Sequence, residues 1–183
     1  MSLFEDEMSP SSKTWGVTKS TVVEEIVLQP GEYHFGDQNT RMRTLLGSCV
    51  AITLWHPHLL IGGMCHFLLP SRVREKRDAL DGKYADEVIQ LLLDEIKMKN
   101  TYPSEYDAKI FGGGNMFPGL KGKYEKHIGR KNVEVGCSLI TTCGMKYKAS
   151  DVGGEFHRNI IFDVWNGQVW VNVNSARNHD EYT

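Results

Sequence analysis

A cysteine stands at the entrance to an apolar stretch of the sequence. Cys49 follows Gly47-Ser48 and precedes the run from Val50 to Trp55, whose β-branched and apolar residues are typical of a buried strand. A cysteine becomes a nucleophile when an imidazole or backbone amides stabilise its thiolate, and this segment offers such amides. Cys49 is therefore the leading candidate for covalent chemistry, and a small buried cysteine with a packing role is the alternative.

A histidine stands in the next apolar run. His66 lies within residues 59–69, where burying its polar ring requires a hydrogen-bond partner or a function. The turn-like segment His56-Pro57-His58 separates the two runs and predicts an antiparallel pair. Such a pair brings a ring nitrogen of His66 toward the sulfur of Cys49, as a thiolate–imidazolium pair requires. A core histidine satisfied by hydrogen bonds is the alternative.

A glycine cluster follows a short predicted strand at 108–111. Gly112, Gly113 and Gly114 precede Asn115. Such a cluster is most often a tight turn, and it also allows a substrate backbone to approach closely. Both interpretations remain open from the sequence.

The other cysteines and histidines have simpler interpretations. Cys65, Cys137 and Cys143 lie in strand-like apolar contexts without metal-ligand spacing, which indicates structural roles and no metal site. Six histidines are interpreted as exposed loop or terminal residues: His34, His56, His58, His127, His157 and His179.

Periodic patterns predict the elements that hold the candidate residues. A helix is expected over 85–96, where apolar residues follow an i, i+3, i+4 stripe. The remaining assignments are a strand at 24–29 broken by Pro30-Gly31, mixed helical character at 123–128, and strands at 133–142, 159–164 and 169–173, with Asn166-Gly167 as a hairpin turn. The expected fold class is α+β or layered α/β, with mixed, mostly antiparallel sheets and packed helices.

Length and charge limit the domain count and the partners. The chain has 183 residues, 40% of them hydrophobic, which suits a single domain. We expect a flexible tail at 1–21, a folded domain at 22–174 and a C-terminal tail at 175–183. Lys and Arg total 21 against 23 Asp and Glu, and this net charge of -2 provides no general attraction to nucleic acid.

The sequence also predicts a cellular location. No apolar run reaches about 18 residues, and the acidic, serine-containing start lacks the regions of a signal peptide, so no membrane insertion is expected. The four cysteines form no Cys-x-x-Cys pair, and a domain of this size needs no disulfides. A cytoplasmic protein with free thiols is therefore expected.

Several spaced segments match the motifs of one known family. They are Thr44 to Val50, Gly62 to Pro70, Lys109 to Met116, Ile128 to Asn132, Asp151 to Gly154 and Arg158 to Phe162. These segments resemble the CheD family of chemoreceptor glutamine deamidases. They follow the family's order over about residues 22–173, and their number makes the resemblance specific.

The resemblance implies particular catalytic residues. The family's cysteine falls on Cys49 and its histidine on His66, the two residues that the chemistry also favours. Its third catalytic residue is a threonine just upstream of the cysteine that orients the histidine. Thr44 is the candidate here, and Arg43 directly before it makes the register ambiguous.

The implied reaction is hydrolysis of a protein-bound glutamine through a thioester. Backbone amides of Cys49 and a neighbour stabilise the oxyanion, and no cofactor or metal is needed. The candidates for binding the substrate or the oxyanion are Gly47, Ser48, Gly113 and Asn115.

The resemblance also implies partners and leaves two other functions open. The substrates are methyl-accepting chemotaxis receptors, and a CheC-type phosphatase is a further partner. The same cysteine and histidine could instead hydrolyse receptor glutamate methyl esters. A non-catalytic module that binds the phosphatase is the other alternative.

Overall fold

Runs of strands are separated by two α-helices along the part of the chain that this computed structural model describes, residues 23–75, 77–116 and 125–175. The strands are β1 (Glu24–Val27), β2 (Tyr33–Gly36), β3 (Thr40–Leu46), β4 (Val50–His56), β5 (Ile61–Phe67), β6 (Asp107–Gly112), β7 (Lys146–Val152), β8 (Phe156–Asp163) and β9 (Gln168–Ser175). The helices are α1 (Ala85–Met98) and α2 (Glu125–Thr142), and a short 3-10 helix covers Pro103–Glu105.

The strands form two sheets. The order β1-β3-β8-β9 makes the outer sheet, and the order β2-β5-β4-β6-β7 makes the inner sheet. Neighbouring strands are antiparallel except for the parallel pairs β1–β3 and β6–β7. Both predicted hairpins are confirmed, because β4 pairs with β5 and β8 pairs with β9.

Both helices pack on the inner sheet. The apolar stripe of α1 is buried as predicted, at Val88, Ile89, Leu92 and Ile96. These side chains contact a cluster that includes residues of β4 and β5. Full burial of such a side chain stabilises the fold by about 1.5–3 kcal/mol, so this interface anchors the sheet that carries the candidate site.

Strand β4 is buried on both faces, which explains its unbroken apolar sequence. Val50, Ile52 and Leu54 belong to the cluster under the helices, whereas Ala51 belongs to a second cluster between the sheets. This second cluster also includes Met42, Leu46, Met64, Ile160 and Phe162. The layers are outer sheet, inner sheet and helices, and the predicted α+β class with mixed, mostly antiparallel sheets in a single domain is confirmed.

The strand predicted at 133–142 is wrong, because this segment lies in helix α2. The buried stripe of α2 consists of Gly129, Asn132, Gly136 and Ile140, which follows helical spacing. Since three of these four residues are glycine or asparagine, the stripe has no apolar pattern to detect. Cys137 therefore lies on a helix, and Cys143 directly follows it.

The histidine at the end of β4 was also predicted incorrectly. His56 is buried, and its ring stands edge-on to that of Tyr106 at 5.2 Å between centroids. Its Nδ1 accepts hydrogen bonds from the amides of His58 and Leu59 at 3.3 and 3.2 Å. His56 therefore closes the β4–β5 turn.

Three strands were not predicted from the sequence: β2, β3 and β7. All but one of the residues of β7 are exposed at the edge of the inner sheet, so β7 has no alternating pattern.

Residues 1–21 and 176–183 of the predicted tails lie outside the described residues, and β9 includes Ser175. Neither of the helices in the described ranges has the length and apolar character needed to cross a membrane.

Candidate active site

The β4–β5 register brings His66 close to the segment in which Cys49 directly precedes β4. Ala51 pairs with His66, and Cys49 lies two residues before Ala51 along the chain. Cys49 packs with Ala51 in the cluster between the sheets. Because Ala51 and its strand partner His66 share a face of the inner sheet, this packing puts Cys49 on the same side of that sheet as His66.

Thr44 contacts His66 from the opposite sheet. Its Oγ1 lies 2.7 Å from Nδ1 of His66 and 2.9 Å from the carbonyl oxygen of Leu28. A carbonyl oxygen accepts a hydrogen bond, so the Thr44 hydroxyl donates to Leu28 and accepts from Nδ1–H of His66. In the neutral ring this leaves the lone pair on Nε2.

The strand alternation resolves the register between Thr44 and Arg43. In β3 the residues at positions 40, 42, 44 and 46 are buried, which turns Thr44 toward the inner sheet. Arg43 is exposed on the other face, where its Nε lies 3.2 Å from a carboxylate oxygen of Glu25. Thr44 is therefore the residue that contacts His66.

His66 is held in its neutral form by burial. The side chain is 1% exposed, and burial lowers its pKa from 6.5 to about 4, while the charge of Glu32 acts in the opposite direction. Within the described ranges, Nε2 of His66 has no hydrogen-bond partner. A neutral imidazole with an unshared Nε2 lone pair can act as a general base.

The Cys49 sulfur is also in its neutral form at rest. Burial raises the pKa of the Cys49 thiol, and the backbone N–H of the same residue partly offsets this rise. Together with the lowered pKa of His66, this favours a thiol beside a neutral imidazole. Both directions oppose the expected thiolate–imidazolium pair as the resting state.

The glycine cluster fixes the loop that carries Cys49. The amide of Gly113 donates to the carbonyl oxygen of Cys49 at 2.8 Å, and the amide of Gly114 donates to that of Gly47 at 2.9 Å. Gly112 has φ 106°, and a Cβ there would lie 2.2 Å from the Cys49 carbonyl oxygen. The Gly113 amide therefore supports the loop, and the role of Gly113 in binding the substrate or the oxyanion stays a prediction.

Two amides of the loop are candidates for binding an oxyanion. Among the described residues, no backbone acceptor bonds the N–H groups of Ser48 and Cys49. Gly47 lies beneath Met116 and His157, since a Cβ there would be 3.0 Å from the Met116 side chain and 3.4 Å from Nδ1 of His157. A Cβ at position 47 would therefore require a small shift of the Met116 side chain.

Asn115 lies beside a cavity next to this loop. Its amide donates to the carbonyl oxygen of Gly154 at 2.7 Å. The cavity is about 320 Å³ in volume and is lined by Gly113, Gly114 and Asn115 on one side and by α2 residues including Val133 on the other. The close approach of a substrate at the glycine cluster stays a prediction.

The sequence analysis missed Asn132 as a candidate. This side chain is fully buried on α2, and its Nδ2 lies 2.7 Å from the carbonyl oxygen of Leu68 and 3.5 Å from that of Ser48. A polar residue between Gly129 and Gly136, at helical spacing, was the available signal. The wrong strand assignment concealed it.

Comparison with known proteins identifies the family. The family model described as CheD chemotactic sensory transduction matches residues 68–173. A Pseudomonas savastanoi pv. phaseolicola protein named probable chemoreceptor glutamine deamidase CheD is 51% identical over 150 residues, covering 81% of this chain and 84% of that protein. The chain belongs to the CheD family. A Dechloromonas aromatica protein, probable chemoreceptor glutamine deamidase CheD 3, is 48% identical over 147 residues, covering 80% of this chain and 86% of its own length.

Membership of the CheD family confirms the resemblance seen in the sequence. The matched range begins directly after β5, so Thr44, Cys49 and His66 precede it. It contains Asn115 and Asn132. The match to the family model therefore does not depend on the three candidate catalytic residues.

Proposed function

We propose that this chain is a chemoreceptor glutamine deamidase that uses Cys49 as nucleophile and His66 as base. The names of its CheD relatives support the substrate class. The observation that carries the mechanism is the Thr44–His66 hydrogen bond of 2.7 Å, which commits Nδ1 and leaves Nε2 unshared on the face that Cys49 also occupies.

The first half of the reaction forms a thioester. Nε2 of His66 takes the proton of the Cys49 thiol as the sulfur bonds to the carbon of the glutamine carboxamide. The N–H groups of Ser48 and Cys49 stabilise the oxyanion. The imidazolium then gives its proton to the leaving nitrogen, the C–N bond breaks and ammonia departs.

The second half of the reaction hydrolyses the thioester. Nε2 of His66, neutral again, takes a proton from water as the oxygen adds to the thioester carbon. The C–S bond breaks, and the sulfur takes the proton back. The sum converts glutamine and water into glutamate and ammonia, and Cys49 is restored.

Thr44 has a positioning role in this scheme. By accepting from Nδ1–H it selects the tautomer that can act as base, and the same contact stabilises the imidazolium formed during attack. The Leu28 carbonyl holds the hydroxyl in that orientation. Substrate access to Nε2 and Sγ then decides which amide reacts.

The proposed substrate is the helical cytoplasmic part of a methyl-accepting receptor, which places the enzyme in the cytoplasm. Conversion of glutamine to glutamate adds a negative charge and creates a carboxylate that can be methylated. The resemblance also supports a CheC-type phosphatase as a second partner.

The test is incubation of a purified receptor cytoplasmic fragment with the wild-type protein and with Cys49→Ser. Release of ammonia, with glutamine-to-glutamate conversion located by peptide mass spectrometry, is expected for the wild type alone. The matched control is Cys137→Ser, which should retain activity. Methanol released from a methylated receptor without ammonia would instead indicate a methylesterase. Neither product, with a receptor response retained in Cys49→Ser, would indicate a binding module.

A further inference from the structure

Asn132 connects helix α2 to both chain segments of the proposed site. Its Nδ2 donates to the Leu68 carbonyl oxygen at 2.7 Å and lies 3.5 Å from the Ser48 carbonyl oxygen. Leu68 is two residues after His66, and Ser48 directly precedes Cys49. One side-chain amide therefore contacts the backbone beside the nucleophile and beside the base.

Asn132 lies on a face of α2 that packs against apolar side chains one turn further on. A Cβ on Gly136, one turn later on the same face of α2, would meet the side chains of Ile110 and Phe67 at 2.7 and 3.4 Å. Asn132 itself is 0% exposed, and within the described ranges its Oδ1 has no partner. An unsatisfied buried polar atom costs about 1–3 kcal/mol. This cost offsets part of what the two Nδ2 contacts contribute to stability.

The contact with Ser48 bears directly on the proposed oxyanion donor. A trans peptide is planar, so the Ser48 carbonyl and the Cys49 N–H point in opposite directions from the same plane. A donor that holds the Ser48 carbonyl toward α2 turns the Cys49 N–H away from α2. The contact with Leu68 fixes the end of β5 in the same way.

We propose that Asn132 is a positioning residue for deamidation, holding the Ser48–Cys49 peptide plane and the end of β5 in the geometry that the reaction needs. This inference rests on the proposed roles of Cys49 and His66. A displacement of about 1 Å between reacting groups lowers a rate by up to roughly a hundredfold. Asn132 acts through backbone atoms and does not itself contact the substrate.

The first test compares Asn132→Leu with Thr101→Val. The leucine keeps the number and branching of the side-chain heavy atoms and removes both contacts, while Thr101→Val removes a hydroxyl that bonds Ile96 and Tyr106 outside the proposed site. We expect Asn132→Leu to lower kcat by roughly tenfold to a hundredfold with KM within about twofold. It should also change the rate of Cys49 alkylation by iodoacetamide. A kcat loss no larger than that of Thr101→Val at a comparable fall in Tm would overturn the proposal.

The second test uses Asn132→Asp, which also serves if the leucine variant does not fold. A protonated carboxyl can donate one hydrogen bond to a carbonyl, whereas an ionised one repels both carbonyls. The kcat of Asn132→Asp should therefore fall with rising pH in a step that the wild type lacks. A pH profile parallel to that of the wild type would contradict the positioning role.

These readouts separate the two proposals. Alkylation of Cys49 requires no receptor and no turnover, so it reports the effect of Asn132 on the loop directly. If the wild type releases no ammonia from receptor, the proposed function fails. An unchanged alkylation rate in Asn132→Leu contradicts the role of Asn132 even where the wild type is active.

Discussion

Thr44 and His66 connect the two sheets through one buried hydrogen bond, 2.7 Å between Oγ1 and Nδ1. Because the Thr44 hydroxyl donates to Leu28 at 2.9 Å, it accepts from the ring and sets the tautomer of His66. The same hydrogen bond therefore holds the two sheets together and determines which nitrogen of the proposed base carries the proton. Removing the hydroxyl should therefore affect stability and turnover together.

Thr44→Val leaves the Leu28 carbonyl and the His66 Nδ1–H without their partner. It should therefore lower kcat by roughly tenfold or more, and it should lower the free energy of unfolding by about 1–3 kcal/mol. Thr44→Ser keeps the hydroxyl and should retain most activity. The measurements are receptor deamidation kinetics and urea denaturation.

Arg43→Ala is the matched control for Thr44. Arg43 is exposed and bonds Glu25 at 3.2 Å, and a surface ion pair contributes about 0–1 kcal/mol. This variant should fold and turn over nearly as the wild type does. A larger loss of kcat in Arg43→Ala than in Thr44→Val would be inconsistent with the proposed site.

The cysteines should differ in alkylation. Burial raises the pKa of Cys65 to about 12, and Cys65 is fully buried, whereas Cys49 is partly accessible with a smaller rise. Iodoacetamide at neutral pH should therefore modify Cys49 before Cys65 and abolish turnover in step with that modification. Peptide mass spectrometry over time measures the order. Full activity after complete modification of Cys49 would exclude the thioester route.

His66 should make stability depend on pH. Its pKa is about 4 in the folded protein against 6.5 for an unperturbed histidine. As pH falls from about 6.5 to about 4, the unfolded chain binds a proton that folded His66 does not, so the free energy of unfolding decreases. In His66→Gln this decrease should be smaller. Urea denaturation at several pH values, with exposed His157→Gln as control, measures the difference. Equal slopes in all three proteins would show that His66 is not held neutral by burial.

The glycines that support the Cys49 loop allow a paired comparison. Gly112 and Gly153 both have positive φ, 106° and 76°. A Cβ on Gly112 would lie 2.2 Å from the Cys49 carbonyl oxygen, whereas a Cβ on Gly153 meets no described atom within 4 Å. Gly112→Ala should therefore lower kcat and stability, while Gly153→Ala should show backbone strain of about 1–2 kcal/mol with little change in kcat. Equal effects on kcat would rule out a loop-specific role.

The enzyme should act on folded receptor and poorly on free glutamine. Contacts remote from the reacting amide supply orientation that a single amino acid lacks, and this is worth several orders of magnitude in kcat/KM. With a net charge of -2, these contacts should be local, so moderate salt should reduce turnover only modestly. Ammonia release from free glutamine at a rate comparable with receptor would instead indicate a small-molecule amidase.

The sequence by itself predicted the local elements of the site. Two apolar runs separated by the turn at 56–58 predict the hairpin, and its antiparallel pairing is what brings the chain near Cys49 beside His66. The stripe of α1 follows directly from apolar periodicity. These features depend on short-range patterns, so the order of residues is sufficient to predict them.

The tertiary structure decided the features that depend on how the layers meet. Packing of the outer sheet on the inner sheet selects Thr44 over Arg43, because it determines which face of β3 is buried. The same packing buries His66 and keeps it neutral, where the sequence suggested a thiolate–imidazolium pair. Helix α2, and with it the contact between Asn132 and Ser48, could not be predicted from the sequence for a related reason. The stripe of small and polar residues on α2 becomes a buried face only when the helix packs on the inner sheet. This packing is a long-range contact, and apolar periodicity does not predict it.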